Sequence, residues 1–325
     1  MVKQPTVLVL TQQLDAHADL VIRELHHRNA QVIRFNTADF PHKATLVARH
    51  TTGRTWEGEL VVDQHALSLQ EITGMWYRRP TPFEIDPALP PAAQQFAQAE
   101  ARMAIGGVLR GLSCRWVNHP EKMVAADYKP YQLEMARACG LETPDTLLTN
   151  SALAARQFLA EHPYGIIYKT LSGALVFSES GEPLSIYTSR VSLQDLEQED
   201  SIRQTACLFQ EEVSKELELR ITVVGEQVFA AEIFSQHSSR TQVDFRRGYA
   251  DLRYGVHALP QAIHDRCLSL VKILGLSFAA IDMVLTPDHR YVFLELNSSG
   301  QWAWIEQATS LPLCETLVDL LTETS

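Results

Sequence analysis

Two carboxylates and an amide fall close together in the C-terminal third of a 325-residue chain. Asp282 lies in the run SFAAIDMVL, Glu295 and Asn297 in YVFLELN, and a Pro-Asp turn, PDHR, separates the two runs. Both runs are apolar and β-branched enough to be strands, and the turn chemistry makes them a hairpin. Side chains on a strand repeat with period two, so Glu295 and Asn297 share a face. Pairing Thr286 with Tyr291 across the turn sets Asp282 opposite Glu295, with facing side chains about 4.5–5.5 Å apart. Carboxylates that close repel unless a cation separates them, and neither strand carries a lysine or arginine. The pattern predicts a hard divalent cation, Mg2+, held by Asp282, Glu295 and Asn297 with phosphate oxygens completing its shell.

The elements that must carry this hairpin can be read along the chain. TVLVLT, an amphipathic helix with Leu14, Ala18, Val21, Ile22 and Leu25 at helical spacing, and QVIRF give a β-α-β opening with a parallel pair. No glycine follows the first strand, so this is a Rossmann-like topology without the glycine-rich phosphate turn. Short strands follow over 60–80, then a helix over 92–112 with Phe96, Met103 and Leu109 among its apolar positions, and a strand at CRWVN. Pro130 splits 121–140 into two short helices, the second stopped by Gly140. TPDTLLT, NSALAARQFLAEH and YGIIYKTLSG read as strand, capped helix and strand into loop, and VSLQDLEQED as helical. From residue 206 long strands dominate, interrupted by a helix over 261–274.

Composition excludes several classes. At 46% hydrophobic and 21% charged, the chain has a globular make-up with room for two or three domains. A formal charge of -11 argues against a nucleic-acid partner, which would demand clustered Lys and Arg. The five scattered cysteines form no CxxC pair, the N-terminus carries no signal-peptide pattern, and no apolar run reaches the ~20 residues of a membrane span. A cytoplasmic protein with reduced thiols and no membrane partner is expected. The histidines form no zinc-type cluster, and Trp302 and Trp304 are read as packing.

An Asp followed thirteen and fifteen residues later by Glu and Asn on a hairpin resembles the magnesium signature of ATP-grasp ligases. YKTLSG is similar to that family's lysine strand and phosphate loop, LFQEEV to its nucleotide hinge, and DYKPYQL to its earlier lysine. Within the superfamily, GMWYRRP, ELRITVVGEQVFAAEI, DFRRGYADLRY and FLELNSSGQWAWIEQATSLPL together resemble the graspetide, or microviridin-type, ribosomal peptide maturases. The resemblance implies an α/β and α+β chain with an ATP-grasp fold. Its parts would be a Rossmann-like N-terminal domain (1–118), a central domain (119–205) and a C-terminal antiparallel-sheet domain (206–325) with the Mg-ATP site.

It also implies ATP and Mg2+ as cofactors. The expected activity is macrocyclisation of a ribosomal precursor peptide, in which an Asp or Glu side chain is activated as an acyl phosphate and joined to Ser, Thr or Lys. A homodimer is expected. A RimK-like ligase that adds a free amino acid is the alternative. Lys129, Lys169, Ser172 and Gly173 would meet the phosphates, Gln210, Glu211 and Val213 the adenine, and Glu218 the ribose or peptide. Arg220 would face the acyl phosphate, with Lys169 also catalytic. The pairs Arg246–Arg247 and Arg78–Arg79 suit carboxylate recognition and would steer the acidic side chain of the peptide.

Overall fold

The computed structural model describes residues 4–173, 175–178 and 180–323. The chain opens with β1 (Thr6–Thr11), α1 (Ala16–His27) and β2 (Gln31–Phe35), and β1 and β2 pair in parallel as expected. A separate antiparallel meander follows, β3 (Ala44–Arg49), β4 (Glu57–Val62) and β5 (His65–Ser68). Next, β6 (Gly74–Arg79), α2 (Pro91–Arg110) and β7 (Arg115–Val117) complete a four-stranded parallel sheet of order β2-β1-β6-β7. The continuous apolar run of β1 reflects cover on both faces. Val7 and Val9 join one core and Leu8 and Leu10 another. On α2 the buried stripe is Ala101, Ile105, Val108 and Leu109, whereas Phe96 and Met103, apolar positions of the expected helix, are exposed.

Two short helices, α3 (Pro120–Ala126) and α4 (Lys129–Ala138), lead into β8 (Thr146–Thr149) and α5 (Ala152–Glu161), whose first turn is capped by Ser151. The chain continues through β9 (Ile166–Lys169), a small hairpin of β10 (Leu175–Phe177) and β11 (Pro183–Ser185), β12 (Ser189–Val191), α6 (Glu199–Arg203) and β13 (Cys207–Glu211). The central sheet is antiparallel with order β12-β9-β13-β8. A domain boundary at 205/206 therefore cuts this sheet, since β13 lies between β9 and β8. The sequence groups β13 with the strands that follow because all are apolar runs, but its hydrogen-bond partners precede it. The helix expected at VSLQDLEQED is reduced to a 3-10 turn (Asp195–Glu197) before α6.

The C-terminal sheet contains β14 (Leu217–Val224), β15 (Gln227–Ile233) and β16 (Tyr254–Val256). After α7 (Gln261–Ile273) come β17 (Phe278–Leu285) and β18 (Tyr291–Asn297). Its order is β16-β15-β14-β17-β18, all antiparallel. Cys267, Leu270 and Val271 of α7 pack on Leu219, Ile221 and Val223, and Met123, Ala126 and Ala136 of α3 and α4 enter the same core. The last helices, α8 (Ala303–Thr309) and α9 (Leu313–Thr322), return to the N-terminal sheet, where Leu317, Val318 and Leu321 share a core with Val7, Val9, Val21 and Leu25.

Candidate active site

The β17–β18 hairpin brings Asp282 opposite Glu295, as the sequence predicts, by a different route. Beside the turn Leu285, not Thr286, faces Tyr291, one step out of the expected register. An extra residue on β18, Leu294, forms a bulge that restores the opposition at the carboxylates. The bulge also lets the neighbours Leu294 and Glu295 both line one cavity while Phe293 stays in the core. That cavity, about 660 Å3, lies between the central and C-terminal sheets.

Across the C-terminal sheet a rung of charges crosses its floor. Arg220 on β14 faces Asp282, and Asp282 faces Glu295. Arg220 Nε lies 2.9 Å from Asp282 Oδ1, and Lys129 Nζ lies 2.9 Å from Glu295 Oε2. The repulsion that pointed to a metal is thus met inside the protein, by cations that approach from β14 and from the first turn of α4. Neither can be inferred from the hairpin alone. Burial raises Asp282, and the neighbouring Glu295 charge adds to this against the pull of Arg220. Burial acts on Glu295 in the same sense, but Lys169 and Lys129 outweigh it and hold its carboxyl below the usual range.

Lys169, at the end of β9, is buried in the cavity wall, and its Nζ has no carboxylate within 4 Å among the described residues. Burial lowers its pKa, with Glu295 acting in the opposite direction. Such an ammonium favours an anionic ligand. Ser172 and Gly173 are exposed on the same rim. At the other end of the cavity Gln210 is anchored by Nε2 to Thr146 Oγ1 at 2.9 Å. The amides of Glu211 and Glu212 are taken by the carbonyls of Asp145 and Gly165, whereas the Val213 amide has no partner among the described residues. The Glu211 carboxylate accepts from Asp145 N at 3.0 Å and so braces the chain crossing, and the residue lines the cavity beside Gln210 and Val213.

The two arginine pairs are divided. Arg79 lines the cavity; Arg78 is buried away from it, donating from Nη1 to the carbonyl and hydroxyl of Ser299 and lying 3.4 Å from Asp15. Arg78 is therefore not brought together with the other expected site residues; it fastens the loop after β18. Arg246 lines the cavity, held by two hydrogen bonds to Asp244 at 2.8 and 2.6 Å, which raise its pKa. Arg247 leaves it and lies 5.0 Å over the Tyr187 ring, so the structure does not bring it together with Arg246 at the cavity. Adjacent loop side chains diverge, and a doublet in sequence does not fix which member faces inward.

Several lining residues escape the sequence reading. Lys215 lies 3.1 Å from Glu218 and donates to Val243 O at 3.0 Å, and nothing in SKELELR marks it. Asp244 could have been suspected from its place two residues before Arg246. Trp304 lies under the Arg220 guanidinium at 5.5 Å, unlike Trp302, which is core. Asn297 Oδ1 accepts from Ser299 N at 2.9 Å, and a Cβ at Gly300 would come within 2.3 Å of Ala280 Cβ, so the loop beyond β18 is closely fitted.

Of the buried acceptors around this one cavity, Gln210 Oε1 has no partner among the described residues, whereas Glu218 Oε1 and Asp282 Oδ1 each face a cation, Lys215 at 3.1 Å and Arg220 at 2.9 Å, with capacity left to accept. A nucleotide with its hydroxyl and amino donors, accompanied by a hard cation, fits that set. No group of three His, Cys, Asp or Glu side chains suited to a metal occurs among the described residues, so a metal here needs oxygens from the nucleotide.

A sheet pair enclosing a cavity with this lysine and carboxylate arrangement defines an ATP-grasp ligase. The MvdD pre-ATP grasp domain model matches residues 6–124 and the RimK-like ATP-grasp domain model residues 129–321. The chain belongs to the RimK-like ATP-grasp family and has its fold: it is an ATP-dependent ligase, of a class that uses ATP with Mg2+. The macrocyclase MdnC of Microcystis aeruginosa MRC, solved with precursor peptide MdnA, is 31% identical with a TM-score of 0.84, over 97% of this chain and 99% of that one. A RiPP-associated ATP-grasp ligase of Chryseobacterium gregarium, solved with ADP and a leader and core peptide, is 28% identical with a TM-score of 0.89, over 98% and 96%. The macrocyclase MdnB of M. aeruginosa MRC is 31% identical with a TM-score of 0.79, over 98% and 99%. No curated protein sequence matches. Among the described residues no helix is long and apolar enough to cross a membrane.

Proposed function

We propose that this enzyme closes rings in a ribosomal precursor peptide by joining Asp or Glu side chains to Ser, Thr or Lys side chains at the expense of ATP. The observation that carries the reading is the rung Arg220–Asp282–Glu295–Lys129 beside the unpaired, buried Lys169. The similarity to macrocyclases solved with precursor peptide supports it. A peptide carboxylate oxygen attacks the γ-phosphorus of ATP, the bond to the β-phosphate oxygen breaks, and ADP leaves. The hydroxyl or amine then attacks the acyl carbon, loses its proton, and phosphate departs.

Lys169 and Lys129 would neutralise the phosphates, with Ser172 and Gly173 covering them. Val213 N–H and Gln210 would meet adenine, and Glu218 the ribose. Arg220, Arg246 and Arg79 would hold the peptide carboxylate in line. Asp282, Glu295 and Asn297 would hold Mg2+, which when bound draws charge off the triphosphate. The same reading has the enzyme act as a homodimer in the cytoplasm.

The test incubates the enzyme with Mg-ATP and the peptide encoded beside its gene. Mass spectrometry should show the loss of one water per linkage, with matching ADP release. Asp282→Asn and Glu295→Gln should each lower ring closure by about 100-fold or more. Wild-type rates in both variants would refute the site, and addition of a free amino acid instead of water loss would favour the RimK-like alternative.

A further inference from the structure

We propose that a groove beside the active cavity holds a second carboxylate of the same peptide, next to the one that reacts; this rests on the peptide-ligase reading above. The groove, about 570 Å3, is lined by Tyr187, Ser189, Arg190, Arg240 and Arg247 among others. It adjoins the cavity directly, since Thr188 and Val243 line both. Of its three guanidinium groups, Arg190 is already spent, clasping Glu212 through contacts of 2.7–2.9 Å. Arg240 and Arg247 have no carboxylate within 4 Å among the described residues.

Each of these exposed side chains has one contact that restrains it. The Arg247 guanidinium lies 5.0 Å from the Tyr187 ring centre, and Arg240 Nη2 donates to Arg247 O at 3.2 Å. A guanidinium fixed before its anion arrives loses less entropy on binding, and its planar fork matches a carboxylate. Two arginines with no carboxylate partner among the described residues, kept together on a chain of net charge -11, form a local anion site.

The wall between groove and cavity is thin. Asp244 Oδ2 accepts from Thr188 N at 3.0 Å and from Arg246 Nη2 at 2.6 Å, so Arg246 is pulled to the cavity side. Its neighbour Arg247 stands on the other side. A peptide laid across Thr188 and Val243 therefore meets one arginine in each compartment, and an acidic residue near the activated one has Arg247 and Arg240 to receive it. The groove selects substrates in which acidic residues cluster.

Fluorescence anisotropy with a labelled synthetic peptide bearing two glutamates, against its counterpart with one of them replaced by glutamine, tests this without turnover. Wild-type enzyme should favour the diglutamate peptide by about tenfold, and R240Q/R247Q should lose that preference while melting at the wild-type temperature. Asp282→Asn, which disables chemistry, should retain it. Equal preference in wild type and a folded R240Q/R247Q, or a preference lost in Asp282→Asn alone, would overturn the proposal. Ring closure is read separately by mass, so failure of the macrocyclase reading and failure of the groove are distinguishable.

Discussion

His17 shows how one side chain can tie catalytic architecture to pH. Its Nε2 accepts from Trp302 N at 3.1 Å and Ala303 N at 3.2 Å, at the start of α8, so the imidazole must be neutral there. Burial, together with Arg78, lowers its pKa from 6.5 to about 4. A folded pKa below the unfolded one means that the stabilisation is complete above pH 6.5 and is lost as pH falls toward 4. The shift corresponds to roughly 3 kcal/mol. Denaturant unfolding followed across that range should show the decline, and His17→Gln, which keeps an acceptor without the titration, should flatten it. An unchanged slope in that variant would refute the assignment.

None of this is legible in the sequence, because His17 acts on residues 285 and more positions away. What is legible at this scale is Asp282, Glu295 and Asn297 as one group on the hairpin: period two gives the shared face of Glu295 and Asn297, while the opposition of Asp282 and Glu295 needs the bulge at Leu294. Lys169 is legible too, as a lone cation at the end of an apolar strand. The cations that meet the carboxylates, Arg220 and Lys129, are visible only as candidates, since their partners are set by sheet order and helix docking.

At the scale of elements, α4 is locked to β18 by a single amide. Gln132 Nε2 donates to Ala126 O at 2.6 Å and Leu296 O at 2.8 Å, and its Oε1 accepts from Leu296 N at 2.9 Å, all of it buried. It acts as an extra strand-edge partner and sets where Lys129, three residues earlier, meets Glu295. Gln132→Leu leaves these backbone groups unpaired at similar volume, and should cost about 2–4 kcal/mol and lower the melting temperature. An unshifted melt would contradict this. Strands and helices were largely readable because their periods are local. The bulge at Leu294, the sheet membership of β13 and the exposure of Phe96 and Met103 were not, since each depends on which distant segment lies alongside.

For the whole molecule, the C-terminal helix belongs to the first sheet. Leu313, Leu317, Val318, Leu320 and Leu321 are buried there, at ~1.5–3 kcal/mol each, which together is comparable to the entire stability of a typical protein. Truncation before residue 313 should therefore give insoluble protein, and residues 1–118 alone should not fold, as solubility and near-UV circular dichroism would report. A soluble, cooperatively melting N-terminal fragment would show this coupling to be overstated.

The loop after β18 is fastened to the N-terminal unit from three directions. Arg78 donates to Ser299, His17 accepts from Trp302, and Asn118, itself bonded to Ser277 and Phe278, donates to Ser298 O at 2.8 Å. The central sheet has an apolar core of its own, drawn from residues 152–209 and shared with neither flanking unit. The central sheet is then the jaw expected to swing. Ligand entry and release should be the work of residues 146–211 moving against a bolted base, and deuterium uptake on adding Mg-ATP should change there and stay level across 278–302.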